Sequence, residues 1–153
     1  MADETIVSSL IAAFAQKLGL TPFQSSDDQV SIVSFDEIDI LIAPEVDAMV
    51  LSARIGTVPA GRPEMIEALL SGNLFWQDTA GATLSLEPFS RAAIIARRFA
   101  VAEISAPEEF EVRLEQFAQA AIAWRRTLDV LGASGGEPDA PPPSQGGLLA
   151  KLV

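Results

Sequence analysis

The chain has 153 residues, 49% of them apolar, and a formal net charge of −11. That length suits one domain with a real core, and the acidity disfavours nucleic acid and anionic membrane surfaces. Cysteine, histidine and tyrosine are all absent, so disulfides, thiolate chemistry, cysteine metal sites and the commonest general base are excluded.

From the start of the chain, Asp3 reads as an N-cap with Glu4 in the first turn. Ile6, Val7, Leu10, Ile11, Phe14 and Leu18 follow at helical spacing, and Gly19 is a stop signal. The acidic beginning lacks the basic-then-apolar order of a signal peptide. No apolar run approaches the roughly 20 residues of a membrane span, so a cytoplasmic protein is expected, with no membrane insertion.

From Val30 the period changes to two. Val30 and Ile32, then Ile38, Ile40 and Ile42, then Met49, Leu51, Ala53 and Ile55 alternate along three short strands. Turns near Asp36-Glu37 and Pro44-Glu45 are short enough for an antiparallel meander. In this reading Val33, Phe35, Leu41 and Val50 lie opposite the Val30, Ile32, Ile38 and Ile40 set. A sheet apolar on both faces needs a second cover, from a partner subunit or a bound peptide.

A short helix is expected from about Glu64 to Leu70, ending at Gly72-Asn73, with the apolar triplet Leu74-Phe75-Trp76 just beyond. Two more strands follow, Thr83 to Glu87 and Ala92 to Val101. Arg97 and Arg98 are neighbours in the second and must point to opposite faces. Ser105-Ala106-Pro107-Glu108 reads as a capping box with an early proline. Phe110, Leu114, Phe117, Ala121, Trp124, Leu128 and Leu131 then form one stripe of a last helix, with Gly132 as its stop. The sum is an α+β domain over residues 1–131, with a five-stranded antiparallel sheet and three helices in the order α-β-β-β-α-β-β-α. Residues 132–153, with Pro141-Pro142-Pro143 in the middle, are expected to form a flexible tail.

Candidate chemistry is sparse. Asp36, Glu37 and Asp39 lack the spacing and the glycine of an EF-hand loop. Glu108, Glu109 and Glu111 are explained by the macrodipole of a helix start. Serines have no histidine to activate them, and no glycine-rich phosphate loop occurs. The expectation is a non-enzyme without cofactor or metal, whose large apolar surplus serves binding.

The order of segments resembles the class I type III secretion chaperones, the CesT or Tir chaperone family. The residues that carry the resemblance are FDEIDILI (Phe35–Ile42), MVLSARIG (Met49–Gly56), LLSGNLF (Leu69–Phe75), TLSLEP (Thr83–Pro88) and FEVRLEQFAQAAIAWRRTL (Phe110–Leu128). The resemblance implies a homodimer through the middle helix and the strand after it, which points to Met65, Ile66, Leu69, Leu70, Leu84 and Leu86. It implies a secreted effector whose extended N-terminal segment is kept soluble, with Ile6, Leu10, Val33, Phe35, Leu41 and Val50 as receiving residues. A secretion ATPase would be a further partner. The competing reading is a small cytoplasmic regulatory or adaptor domain unrelated to secretion.

Overall fold

A computed structural model describes residues 9–10, 12–13, 16–17, 23–24 and 30–134. Six strands, β1 (Phe23–Gln24), β2 (Ser31–Phe35), β3 (Ile38–Pro44), β4 (Ala48–Thr57), β5 (Thr83–Leu86) and β6 (Ala92–Ala100), form one sheet in the order β1-β2-β3-β4-β6-β5. Every pairing is antiparallel. The sheet therefore has one strand more than the five expected. The extra one, β1, is two residues long, too short to carry a period.

Two α-helices have full bounds, α1 (Pro63–Gly72) and α2 (Pro107–Ser134), against three expected. The first expected helix is described only at Ser9, Leu10, Ala12, Ala13, Gln16 and Lys17, each of them helical. Its caps, Asp3 and Gly19, lie outside the described residues, as does the tail beyond Ser134.

The sheet forms because its strands alternate. Ile38, Ile40 and Ile42 are buried while Asp39 and Leu41 face outward. Val33 pairs with Ile40 and Phe35 with Ile38, so these four residues share a face. This corrects the expectation that Val33 and Phe35 oppose Ile38 and Ile40. A two-residue turn accounts for it. Asp36, at φ 45°, and Glu37 close the hairpin so that Phe35 pairs with Ile38, which moves the inward positions from odd numbers in β2 to even numbers in β3.

The buried face continues through Leu51, Ile95 and Phe99 and lies under α2. That helix contributes Phe110, Leu114, Phe117, Ala118, Ala121 and Leu128, a stripe at helical spacing. Its start differs in detail from the expected capping box. Glu109, not Glu108, reaches back to accept the Ser105 N–H at 2.9 Å, because the first helical residue is Pro107. Its end differs too. Gly132 does not stop it. The Arg62 guanidinium, just ahead of α1, donates to the carbonyls of Leu131 (2.6 Å) and Gly132 (3.5 Å). A cation on these last-turn carbonyls complements the helix dipole and supports the extra residues.

Candidate functional site

Neither acid cluster is arranged for chemistry. Glu37 pairs with Arg126 at 3.2 Å, and Arg125 donates to the Glu37 carbonyl, which ties the β2–β3 hairpin to α2. Among the described residues no group of three or more potential ligands is gathered for a metal. The carboxyl of Glu109 is held below the usual glutamate range by the Ser105 N–H and by Arg113, as suits a cap. Glu111 accepts from Lys17 at 2.6 Å, which raises the lysine. These two residues line a cavity of about 240 Å³ with Ala13, Pro107 and Glu108. It is small and faces the join between the first helical segment and α2.

The surfaces outside the core are more informative, and the first is the face of the sheet away from α2. Cross-strand pairing aligns Ile32, Leu41, Ser52, Ala96 and Thr83 in one row from β2 to β5. Val50 and Ile94 lie in the neighbouring rows. No described helix packs on them, and Leu41 keeps 39% of its surface exposed. Arg98 pairs with Glu45 at 2.7 Å, and Arg54 donates to Thr57 at 2.7 Å, so the apolar lane has a polar rim. An apolar lane with satisfied charges at its edges suits an extended protein segment with alternate apolar side chains.

Arg97 is on the other face, as its neighbour relation requires. Its guanidinium stacks 4.4 Å from the Phe99 ring centroid and donates to the Ala80 carbonyl. Burial first, and Arg113 second, lower its pKa. It is a structural strut, with the ring supplying a cation–π contact.

The structure separates the expected binding residues. Of the six proposed for dimer contact, Met65, Leu69 and Leu84 are buried in the core, Ile66 and Leu86 are half-buried against it, and only Leu70 stands out, at 68% exposure. Of the six proposed for effector contact, Leu10 and Val33 are buried and Phe35 packs on the core, whereas Leu41 and Val50 belong to the open lane. Ile6 lies outside the described residues.

A second surface is formed by the apolar triplet noted in the sequence, to which no binding role was assigned there. Leu74, Phe75 and Trp76 project outward after α1, with Phe75 at 73% exposure. Phe75 and Trp76 both take φ of 54°, a left-handed conformation costly for bulky side chains. Hydrogen bonds hold it in place. Trp124 Nε1 donates to the Asp78 carbonyl (2.9 Å), and the Gly81 N–H (3.2 Å) and Thr79 Oγ1 (3.4 Å) both donate to the Trp76 carbonyl. Phe89, at 96% exposure, projects from the β5–β6 turn. There Glu87 accepts from the N–H groups of Phe89 and Ser90 and from the Ser90 hydroxyl, contacts that lower its pKa, the hydroxyl most. The triplet after Gly72-Asn73 is a signal in the sequence, though it does not say which way the rings point. A charge count adds to it, since Asp78 is the one charged residue between Ala68 and Leu86.

Comparisons with known proteins follow the same lines. The family model described as the Tir chaperone protein (CesT) family matches residues 9–125. No curated protein matches the chain in sequence. Among solved structures, the ExsC–ExsE complex has a similar chain at TM-score 0.66 and 19% identity, covering 80% of this chain and 93% of that one. The HopA1–SchA chaperone–effector complex gives 0.64 at 12% identity, covering 82% and 98%. The ExoU–SpcU complex of the Pseudomonas aeruginosa type III secretion system gives 0.59 at 17%, covering 78% and 94%. At such identities these likenesses are likenesses of fold.

Proposed function

The chain belongs to the Tir chaperone protein (CesT) family and is an effector-binding chaperone of type III secretion; on that premise we propose that it works as a homodimer and holds an extended effector segment along the open lane of its sheet. The observation that supports this is the lane itself. Ile32, Leu41, Val50 and Ile94 are apolar, part-exposed and rimmed by charges that already have hydrogen-bond partners, Arg98 on Glu45 and Arg54 on Thr57. An extended segment with apolar side chains at every second position would bury them while leaving the rim hydrogen bonds in place.

Of the residues expected to receive the effector, Leu41 and Val50 stay in this reading. Leu10, Val33 and Phe35 support the lane from the core side. The dimer contact is reassigned in the same way. Leu70, with Ile66 and Leu86 beside it, joins Leu74 and Phe75 in place of Met65, Leu69 and Leu84. Two copies of a chain with net charge −11 repel each other, and the nearly uncharged stretch from Ala68 to Leu86 is where they approach at least cost. No step in this function requires catalysis, and the family is one of chaperones. Among the described residues no helix is long and apolar enough to cross a membrane. We place the protein in the cytoplasm, with the secretion ATPase as a later partner that receives the loaded dimer. Family membership displaces the adaptor reading.

Titration calorimetry with an effector segment recovered by pull-down from the native cell tests the assignment. Leu41→Asp and Val50→Asp are each expected to weaken binding at least tenfold while the circular dichroism stays native. Full affinity in both would remove the effector from this face. Light scattering should return twice the chain mass, and Leu70→Asp with Phe75→Asp should halve it.

A further inference from the structure

β5 is an edge strand, yet its outer edge is already engaged. The Asn73 carboxamide makes two hydrogen bonds with one residue: Nδ2 donates to the Leu84 carbonyl at 3.0 Å, and Oδ1 accepts the Leu84 N–H at 2.7 Å. One donor and one acceptor meeting one backbone unit reproduce a rung of an antiparallel ladder. Because both Leu84 groups point to Asn73, its pairing with Ile95 on the inner side is of the kind without ladder hydrogen bonds. The alternation then makes Leu84 and Leu86 the outward-facing rungs of this four-residue strand. Asn73 fills one of the two. The Asn73 backbone separately ends α1, its N–H meeting the carbonyls of Leu70 and Ser71, so the side chain is free for this second task.

We propose that Asn73 is an edge guard: a surrogate strand of one residue that closes β5 to strand addition and thereby keeps both a second copy and an extended partner segment from continuing the sheet there. A bare edge strand invites pairing with another chain, and a single remaining rung at Leu86 does not template one. The guard leaves β5 able to meet a partner through side chains only, and leaves strand addition to the opposite edge, at β1 and β2. The proposal stands on the Asn73 geometry and does not depend on the effector reading.

Without the guard, the symmetric pairing open to two β5 edges sets Leu84 against Leu86 of the second copy. Ser85 then faces its own counterpart in a pair without ladder hydrogen bonds. Cα atoms in such a pair are about 4.5 Å apart, within disulfide range. The chain has no natural cysteine, so a disulfide in Ser85→Cys can join only the two Ser85 positions, with diamide as the two-electron oxidant that takes up the two thiol hydrogens. In the full chain, Ser85→Cys with Asn73 intact is expected to cross-link slowly. Adding Asn73→Ala should raise the rate at least tenfold and produce concentration-dependent association in sedimentation velocity. Asn73→Asp is isosteric and puts an acceptor against the Leu84 carbonyl; it should give the same rise should the alanine variant fail to fold. Fast cross-linking with Asn73 in place would overturn the proposal. So would equal rates in all backgrounds with native circular dichroism, which would reduce the carboxamide to a tether for the end of α1.

Discussion

The two faces of the sheet are made from similar residues and end in different states. Toward α2, Ile40, Ile42, Leu51 and Ile95 are fully buried beneath Phe110, Leu114 and Phe117. Away from it, Ile32, Leu41, Val50 and Ile94 remain part-exposed with a charged rim. One face is covered within a single chain, and the other is left part-open, the side to which the proposed function assigns the effector segment. The difference teaches that an apolar strand residue in this protein is core or surface according to which side of one backbone it leaves.

The contrast can be broken by substitution. The largest effect is expected in the covered face. Phe117→Ala should cost about 3–5 kcal/mol in urea unfolding, from lost burial and the cavity left behind. Next comes the joint between the two helices. A Cβ on Gly72 would meet the Trp124 ring and sit 2.8 Å from Leu84 Cδ1, so Gly72→Ala should cost about 1–3 kcal/mol by overpacking. On the open face, Leu41→Ala should cost under about 1 kcal/mol in the free protein while weakening effector binding. A loss as large as that at Phe117 would mean that the lane is core in the free protein, and the contrast between the faces would fail.

The smallest effect expected is a pH dependence. Glu87 and Glu109 have folded pKa values below the ordinary range, Glu87 chiefly through the Ser90 hydroxyl and Glu109 chiefly through the Ser105 N–H. A depressed carboxylate contributes stability above its unfolded pKa, about 4.3 for glutamate, and loses it as pH falls through the folded value. Melting temperature should therefore drop below about pH 4, and Glu87→Gln should shallow that drop. An unchanged slope in Glu87→Gln would show that the carboxylate has no part in holding the Phe89 turn.

Much of the fold was legible in the residues. The α2 stripe from Phe110 to Leu128 and the alternation from Ile38 to Ile42 are periodic, and period survives without knowledge of neighbours. What lacks a period did not show. β1 is two residues long, and the choice between Glu108 and Glu109 as the returning cap is settled by one position of helix start. At Gly132 the ordinary stop signal is overridden by Arg62, 70 residues earlier, on the last carbonyls. The candidate surfaces were legible only in part. Leu41, Val50 and Leu70 were placed on the outside, whereas Met65, Leu69, Leu84 and Val33 belong to the core. Resemblance locates a binding segment and does not say which side of its helix or strand points out.

The sequence by itself determined which reactive residue types are missing, the order of most of its elements and, through ordered likeness, its family. Those follow from residue types and spacings, which are properties of the chain. Only the tertiary structure decided the phase of β2 against β3, the outward turn of Leu74, Phe75 and Trp76, and the reach of Asn73 to both groups of Leu84. These depend on turn length, backbone direction and side-chain reach, which residue type does not fix, and in a strand a shift of one residue exchanges core for surface.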